Sequence, residues 1–185
     1  MEKMRLSIEE SRQVYEKHLC VDFPADEVKP FTTIQRGMES GAYTVYGFYE
    51  AGALMGYAFL FRQGHWILLD YFAVCAGKRG SGIGGRIFAQ LRQALRPGEV
   101  LLIEAEKPRE DLADPQDLRR RRIAFYERNG ARQSGMLGWA FGVCYRLLYC
   151  GEPQTDSQVE EGMRAVYGAL LTPASYRANI RFARG

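Results

Sequence analysis

Long apolar runs are missing from this chain. None of its 185 residues open an 18-residue apolar stretch, so no membrane-spanning helix is expected. Met1-Glu2-Lys3-Met4-Arg5 leads into a polar helix pattern without the apolar core of a signal peptide. The expected location is therefore cytoplasmic, with no membrane partner. Histidine and cysteine are scarce, at two and four, and no C-x-x-C pair occurs. His65 lies near no cysteine and His18 lies near Cys20 alone, too few ligands for a zinc site, which argues against a metal centre and for reduced thiols. No charge dominates either: 25 Lys and Arg stand against 22 Asp and Glu, a formal net charge of +3. A surplus this small speaks against nucleic acid as a partner, because a nucleic-acid binder clusters its cations on one face. There is no internal repeat and no Pro- or Ser-rich linker, so one domain is expected over 1–185.

What remains is 46% hydrophobic and 12% aromatic, enough for a core without staples. Ser7 to Leu19 reads as a helix, with Ser7 as cap and Glu9 and Glu10 at its positive end. Pro30 to Glu39 reads as a second, short helix. Three strands follow: Tyr43–Tyr49, Leu54–Phe61 and Trp66–Val74, joined by short turns that imply antiparallel pairing. Gly82 to Leu95 is a helix with Ile83, Ile87, Phe88, Leu91, Ala94 and Leu95 inward. Val100–Ala105 is a buried strand, and Leu118–Asn129 is a helix stopped by Gly130. Ala131–Ser134 and Phe141–Tyr149 are further strands, and Ser157–Leu171 is a helix. The order ααβββαβαββα predicts an α/β fold of mixed α+β type. It has one mixed, largely antiparallel sheet flanked by helices.

The most informative stretch runs from Leu69 to Gly85. A buried strand enters a basic, glycine-rich turn (Lys78, Arg79, Gly80, Ser81, Gly82) and passes directly into a helix at Ile83 and Gly84. Backbone N–H groups at such a turn and at a helix N-terminus attract an anion, so a phosphate or pyrophosphate ligand is predicted. Gly80-Ser81-Gly82-Ile83-Gly84-Gly85 also satisfies G-x-G-x-x-G, with Glu104 or Glu106 about twenty residues on as a ribose ligand. Against that dinucleotide reading, Cys75 to Arg79 separate the strand from the glycines, and three antiparallel strands precede the motif. Too little chain follows for the remaining strands of such a fold. A P-loop fails because no Gly-Lys-Ser/Thr follows.

Arg79, Gly82 and Gly84 match Arg/Gln-x-x-Gly-x-Gly/Ala, and Phe125-Tyr126-Glu127-Arg128-Asn129-Gly130-Ala131 matches a helix ending in F-Y-x-x-x-G-[FA]. The two motifs, in this order, resemble the GNAT superfamily of acetyl-CoA-dependent N-acetyltransferases over roughly residues 5 to 150. The resemblance implies acetyl-CoA as co-substrate and a primary amine of a small molecule or peptide as acceptor, attacked directly in a ternary complex. It implies that Phe72, Ala73 and Val74 meet the pantetheine arm and that the backbone from Arg79 through Gly80, Ser81, Gly82 and Ile83 to Gly84 holds the pyrophosphate. Tyr126 would be the general acid that protonates the leaving thiolate. Its alternative is a core aromatic beside Phe125.

An alkyl amine is mostly ammonium at pH 7, so a base is needed. Asp70, Glu104 and Glu106 are the candidates, since carboxylates at the ends of central strands are costly unless partnered. A solvated sheet end, or ion pairing to Arg119–Arg122, is the alternative for each, and the family has no fixed base. Where many relatives have Asn seven residues before the tyrosine, this chain has Arg119, opening a run of four arginines. Some of these would meet the CoA phosphates and most would be solvated, with Asp111, Asp114 and Asp117 offsetting their charge at a positive helix end.

By the same resemblance, the loop Cys20–Phe31, with Asp22, Phe23, Asp26 and Glu27, and the segment Gly135–Phe141, with Met136 and Trp139, lie where the family's variable substrate segments lie; their side chains suit an amine with an apolar body and equally suit plain loop packing. Cys144 and Cys150 read as core thiols. Val159, Met163, Val166, Tyr167 and Leu170 suit covering the sheet, and a homodimer stays open beside packing within the chain. An acyl-CoA sensor without turnover is the alternative from another class.

Overall fold

Ser7 opens the first helix as a complete capping box. Its hydroxyl accepts from the Glu10 N–H, and the Glu10 carboxylate accepts from the Ser7 N–H at 2.8 Å. The computed structural model describes residues 1–108 and 117–185. The elements are β1 (Glu2–Arg5), α1 (Ile8–Val14), a π-helical turn (Tyr15–Leu19), α2 (Cys20–Asp22), α3 (Phe31–Glu39), β2 (Tyr43–Glu50), β3 (Ala53–Gln63) and β4 (Trp66–Val74). They continue with α4 (Ile83–Gln93), β5 (Val100–Glu106), α5 (Leu118–Arg128), β6 (Arg132–Ala140), β7 (Val143–Cys150), α6 (Asp156–Leu170), α7 (Pro173–Asn179) and β8 (Ile180–Arg184). The eight strands form one largely antiparallel sheet, the α/β arrangement that the element pattern implies.

The chain divides into two compact units, Met1–Arg62 with Leu69–Gln93, and Gln63–Leu68 with Ala94–Gly185. In the first, the strand order is β1-β2-β3-β4. The β2–β3 hairpin turns through Ala51 and Gly52 at positive φ. Its core is aromatic: Phe48, Tyr57 and Phe59 are fully buried, together with Leu19, Ile34, Ile87 and Phe88. In the second, the order is β4-β5-β7-β6-β8. Here β4 and β5 run parallel, with Trp66, Ile67 and Leu68 opposite Val100, Leu101 and Leu102. Leu101, Leu102, Ile103, Leu147 and Leu148 form its centre, covered by Val159, Met163 and Val166 of α6. Gly162 is required on α6 because a Cβ there would stand 2.6 Å from the Trp66 ring.

Several expectations change. Strand β1 adds one element before the predicted order, and α7 and β8 add two after it. Helix α4 ends at Gln93, so Ala94 and Leu95 are not part of its inner face. A turn follows at once, with the Glu99 N–H on the Arg96 carbonyl and the Arg96 N–H on the Glu99 carboxylate. The strand predicted to stop at Ser134 runs on to Ala140 as β6, so Gly135–Phe141 is mostly strand rather than loop. Met136 is buried in it, and Trp139 lies beneath Arg181, 4.5 Å from ring centre to guanidinium. Among the described residues, no helix is long and apolar enough to cross a membrane.

Candidate functional site

In the first unit, β4 delivers the glycine-rich turn. The Cys75 N–H donates to the Met55 carbonyl at 3.0 Å, which fixes the end of β4 against β3. Gly56 lets them approach: a Cβ there would meet the Ala73 carbonyl at 2.7 Å and Ile87 at 2.6 Å. The chain then turns, with the Lys78 N–H on the Cys75 carbonyl and the Ser81 hydroxyl on the Lys78 carbonyl. Gly80 and Gly82 take φ of +82° and +78°, a region that favours glycine, and the space around each is open. Helix α4 starts at Ile83, so the N–H groups of Ile83, Gly84 and Gly85 have no acceptor within the helix. The turn thus sets these N–H groups beside two open glycines, at the place where the sequence leads one to expect an anion.

Arg79 is not aimed outward from this turn. Its Nε donates to the Val74 carbonyl at 3.0 Å, and its guanidinium pairs with Asp22. Asp22 also accepts from the Tyr57 hydroxyl at 2.8 Å. Phe72 lies against Phe88 of α4, with ring centres 6.3 Å apart. Ala73 and Val74 are half-buried on the final turn of the strand.

Asp70 is committed to neighbours. Lys29 lies 2.6 Å from one of its oxygens, and the Tyr43 hydroxyl donates to the other. The adjacent Tyr71 hydroxyl accepts from the Lys29 N–H and donates to the Glu27 carbonyl, both at 2.9 Å. Burial pushes the Tyr71 phenol up to about 12, with Asp70 adding to the rise and Lys29 opposing it. The predicted acceptor loop between α2 and α3 is thus fastened to β4 at Asp70 and Tyr71.

In the second unit, Glu104 and Glu106 alternate with buried Ala105 at the end of β5. Glu104 accepts from the Tyr167 hydroxyl of α6 at 2.8 Å. Glu106 pairs with Arg119 at 2.7 Å, and Asp117 caps α5 by accepting from the Arg119 N–H at 3.0 Å. Arg120, Arg121 and Arg122 are exposed, as expected for most of the arginine run. Asp111 and Asp114 lie outside the described residues. Tyr126 is buried on the inner side of α5, with 7% of its surface exposed. Burial pushes its phenol up to about 12, Cys150 adds to this and Arg122 opposes it. Gly130, at φ of +89°, ends the helix, and the Ala131 N–H returns to the Tyr126 carbonyl at 3.0 Å.

The first unit thus gathers Asp70, Phe72, Ala73, Val74 and Arg79–Gly84, and the second gathers Glu104, Glu106, Tyr126 and Arg119. Sequence reasoning missed Lys29, Tyr43 and the role of Tyr167 as partners. A tyrosine on the apolar stripe of α6 was the one visible signal.

Comparison with solved structures decides the fold. A protein from Bacteroides thetaiotaomicron described as a "putative acetyltransferase from GNAT family" superposes with a TM-score of 0.75 at 18% identity, over 90% of this chain and 96% of that one. The fold is that of the GNAT acetyltransferases. A second structure with this GNAT fold is yncA of Salmonella typhimurium, solved with its cofactor acetyl-CoA. It has a TM-score of 0.59 at 15% identity, over 83% of this chain and 95% of its own. In sequence, the chain is 31% identical over 115 residues to the "putative acetyltransferase YjbC" of Bacillus subtilis (strain 168), which is 57% of this chain. It spans 56%, about half, of the length of that curated relative. No protein-family model matches the chain.

Proposed function

We propose that this protein is an N-acetyltransferase that moves the acetyl group of acetyl-CoA to a primary amine of a small molecule or peptide. The observation that carries the reading is the anion cradle of β4, its turn and α4. It is lined by open left-handed glycines and a helix N-terminus. The likeness of the fold to yncA, which was solved with acetyl-CoA, supports it.

In this reading the backbone of Arg79–Gly84 holds the pyrophosphate, while the Arg79 side chain keeps the turn in shape through Val74 and Asp22. The strand residues Phe72, Ala73 and Val74 take the pantetheine arm. Bound acetyl-CoA supplies an activated acyl group. Glu104 then takes the proton from the acceptor ammonium, freeing the nitrogen lone pair to form the N–C bond. Tyr126 gives its phenolic proton to the sulfur as the tetrahedral intermediate's C–S bond breaks, and the second proton that the nitrogen loses returns the phenolate to the phenol, leaving an acetamide and CoA thiol. A phenol shifted up to about 12 is fully protonated at neutral pH and so holds that proton ready. Asp70 and Glu106 serve the architecture, held by Lys29 and Arg119.

The test is thiol release from acetyl-CoA across a panel of alkyl amines and amino-terminal peptides. Turnover with at least one acceptor, lowered about 10²–10⁴-fold in Tyr126→Phe, supports the reading. Tight CoA binding with no thiol release from any acceptor would instead mark a sensor without turnover.

A further inference from the structure

Helix α6 lies outside both sequence motifs, yet it reaches the end of β5. Its buried face carries Val159, Gly162, Met163 and Val166, and Tyr167 completes it at 5% exposure. The Tyr167 hydroxyl donates to Glu104 Oε2 at 2.8 Å, across 63 residues of sequence. Asp70 meets the Lys29 ammonium at 2.6 Å and Glu106 meets the Arg119 guanidinium at 2.7 Å, whereas this donor to Glu104 is a neutral phenol. A hydrogen bond from a phenol fixes the orientation of the carboxylate that accepts it.

We infer that Tyr167 is a positioning residue for the transfer, holding the Glu104 carboxylate in one rotamer so that it takes the acceptor's proton. The inference rests on the reading of Glu104 as the base. Tyr167 moves no proton itself. Around Glu104, the same face of β5 carries Glu106, held by Arg119. On β7, Leu147 stands directly opposite and Tyr145 stands opposite Glu106. From α6 the facing group is Tyr167.

The experiment uses the full chain labelled with side-chain ¹³C-glutamate. The Glu104 signal is assigned by its loss in Glu104→Gln and titrated in wild type and Tyr167→Phe. Removing the donor should raise the Glu104 midpoint by about half to one pH unit, the equivalent of one net hydrogen bond. With the fastest acceptor among putrescine, tyramine and an alanine-terminated peptide, Tyr167→Phe should lower kcat about 10-fold. It should also move the acid limb of the profile upward and leave the KM for acetyl-CoA unchanged. Adding Tyr167→Phe to Glu104→Gln should cost nothing further, a non-additivity that loss of packing would not give. An unchanged Glu104 midpoint in Tyr167→Phe overturns the inference, and so do additive losses. Full turnover in Glu104→Gln overturns the reading of Glu104 as base, and the inference with it, while a shifted midpoint would show that the hydrogen bond itself is real. If no acceptor is turned over, the midpoint alone decides.

Discussion

The Lys29 ammonium stands 2.6 Å from an oxygen of Asp70, whose side chain is only 5% exposed, and the Tyr43 hydroxyl donates to the other oxygen. In the proposed mechanism a carboxylate so enclosed anchors the loop between α2 and α3 rather than taking a proton. Asp70→Asn should therefore lower the unfolding free energy by about 2 kcal/mol, because it leaves Lys29 without its counter-charge in a partly buried place. Urea denaturation checks this. Asp70→Asn with wild-type stability and no turnover would return Asp70 to the list of bases.

Arg119→Ala offers the contrast. Arg119 and Glu106 are about a third exposed, at 30% and 34% of their side chains, so the pair is screened by water. Stability should change by less than about 1 kcal/mol. A larger loss in the same urea experiment would mean that the pair holds α5 to the end of β5.

Gly82 and Gly64 separate ligand binding from backbone strain. Both have positive φ, +78° and +59°, and neither has an atom within 4 Å of a built Cβ. Alanine at either should cost about 1–2 kcal/mol of stability through the left-handed backbone alone. Only Gly82→Ala should also weaken CoA binding, by at least about tenfold, because its methyl group enters the cradle. Titration calorimetry with CoA on both variants tests this, and equal affinities would remove the turn from the binding site.

Alkaline pH should unfold the protein through its buried phenols. Tyr71 and Tyr126 are each pushed up to about 12, and Tyr57 is raised as well, burial being the first cause in each case. Unfolded tyrosine ionises near 10, so between pH 10 and about 12 the unfolded chain has lost protons that the folded chain keeps. Stability is fully present below pH 10 and falls as pH rises, by about 1.4 kcal/mol per pH unit for each such group. Denaturant midpoints should drop steeply across that window, and less steeply in Tyr71→Phe. A flat profile would contradict the burial of these rings.

Much of this was legible in the sequence where two signals coincide. Trp66–Val74 is an apolar run followed by glycines, and both its strand and its turn are seen. Phe125-Tyr126 followed by Gly130 likewise marked the end of α5. The illegible parts depend on partners distant in sequence. Glu2–Arg5 and Ile180–Arg184 are largely exposed edge strands with no clear alternation, and only β2 and β6 give them their register. Gly135 and Gly138 look like loop residues. One donates its N–H to Asp156 at 2.8 Å and the other makes room for the Phe182 ring, so both sit inside β6. In the candidate site, carboxylate positions were readable from the strand pattern. Their partners were not, because Lys29 lies 41 residues from Asp70 and Tyr167 lies 63 from Glu104.

The central claim is that the β4–α4 turn binds acetyl-CoA, and thermal unfolding with acetyl-CoA, CoA, NAD and NADP tests it most directly. A ligand at about 100 times its dissociation constant stabilises by about 2.7 kcal/mol, which for a chain of this size raises the midpoint by about 5–10 °C. The account predicts that rise with acetyl-CoA and CoA and none with NAD or NADP. A rise with the dinucleotides alone would contradict it, and would make Glu104 and Glu106 ribose ligands instead.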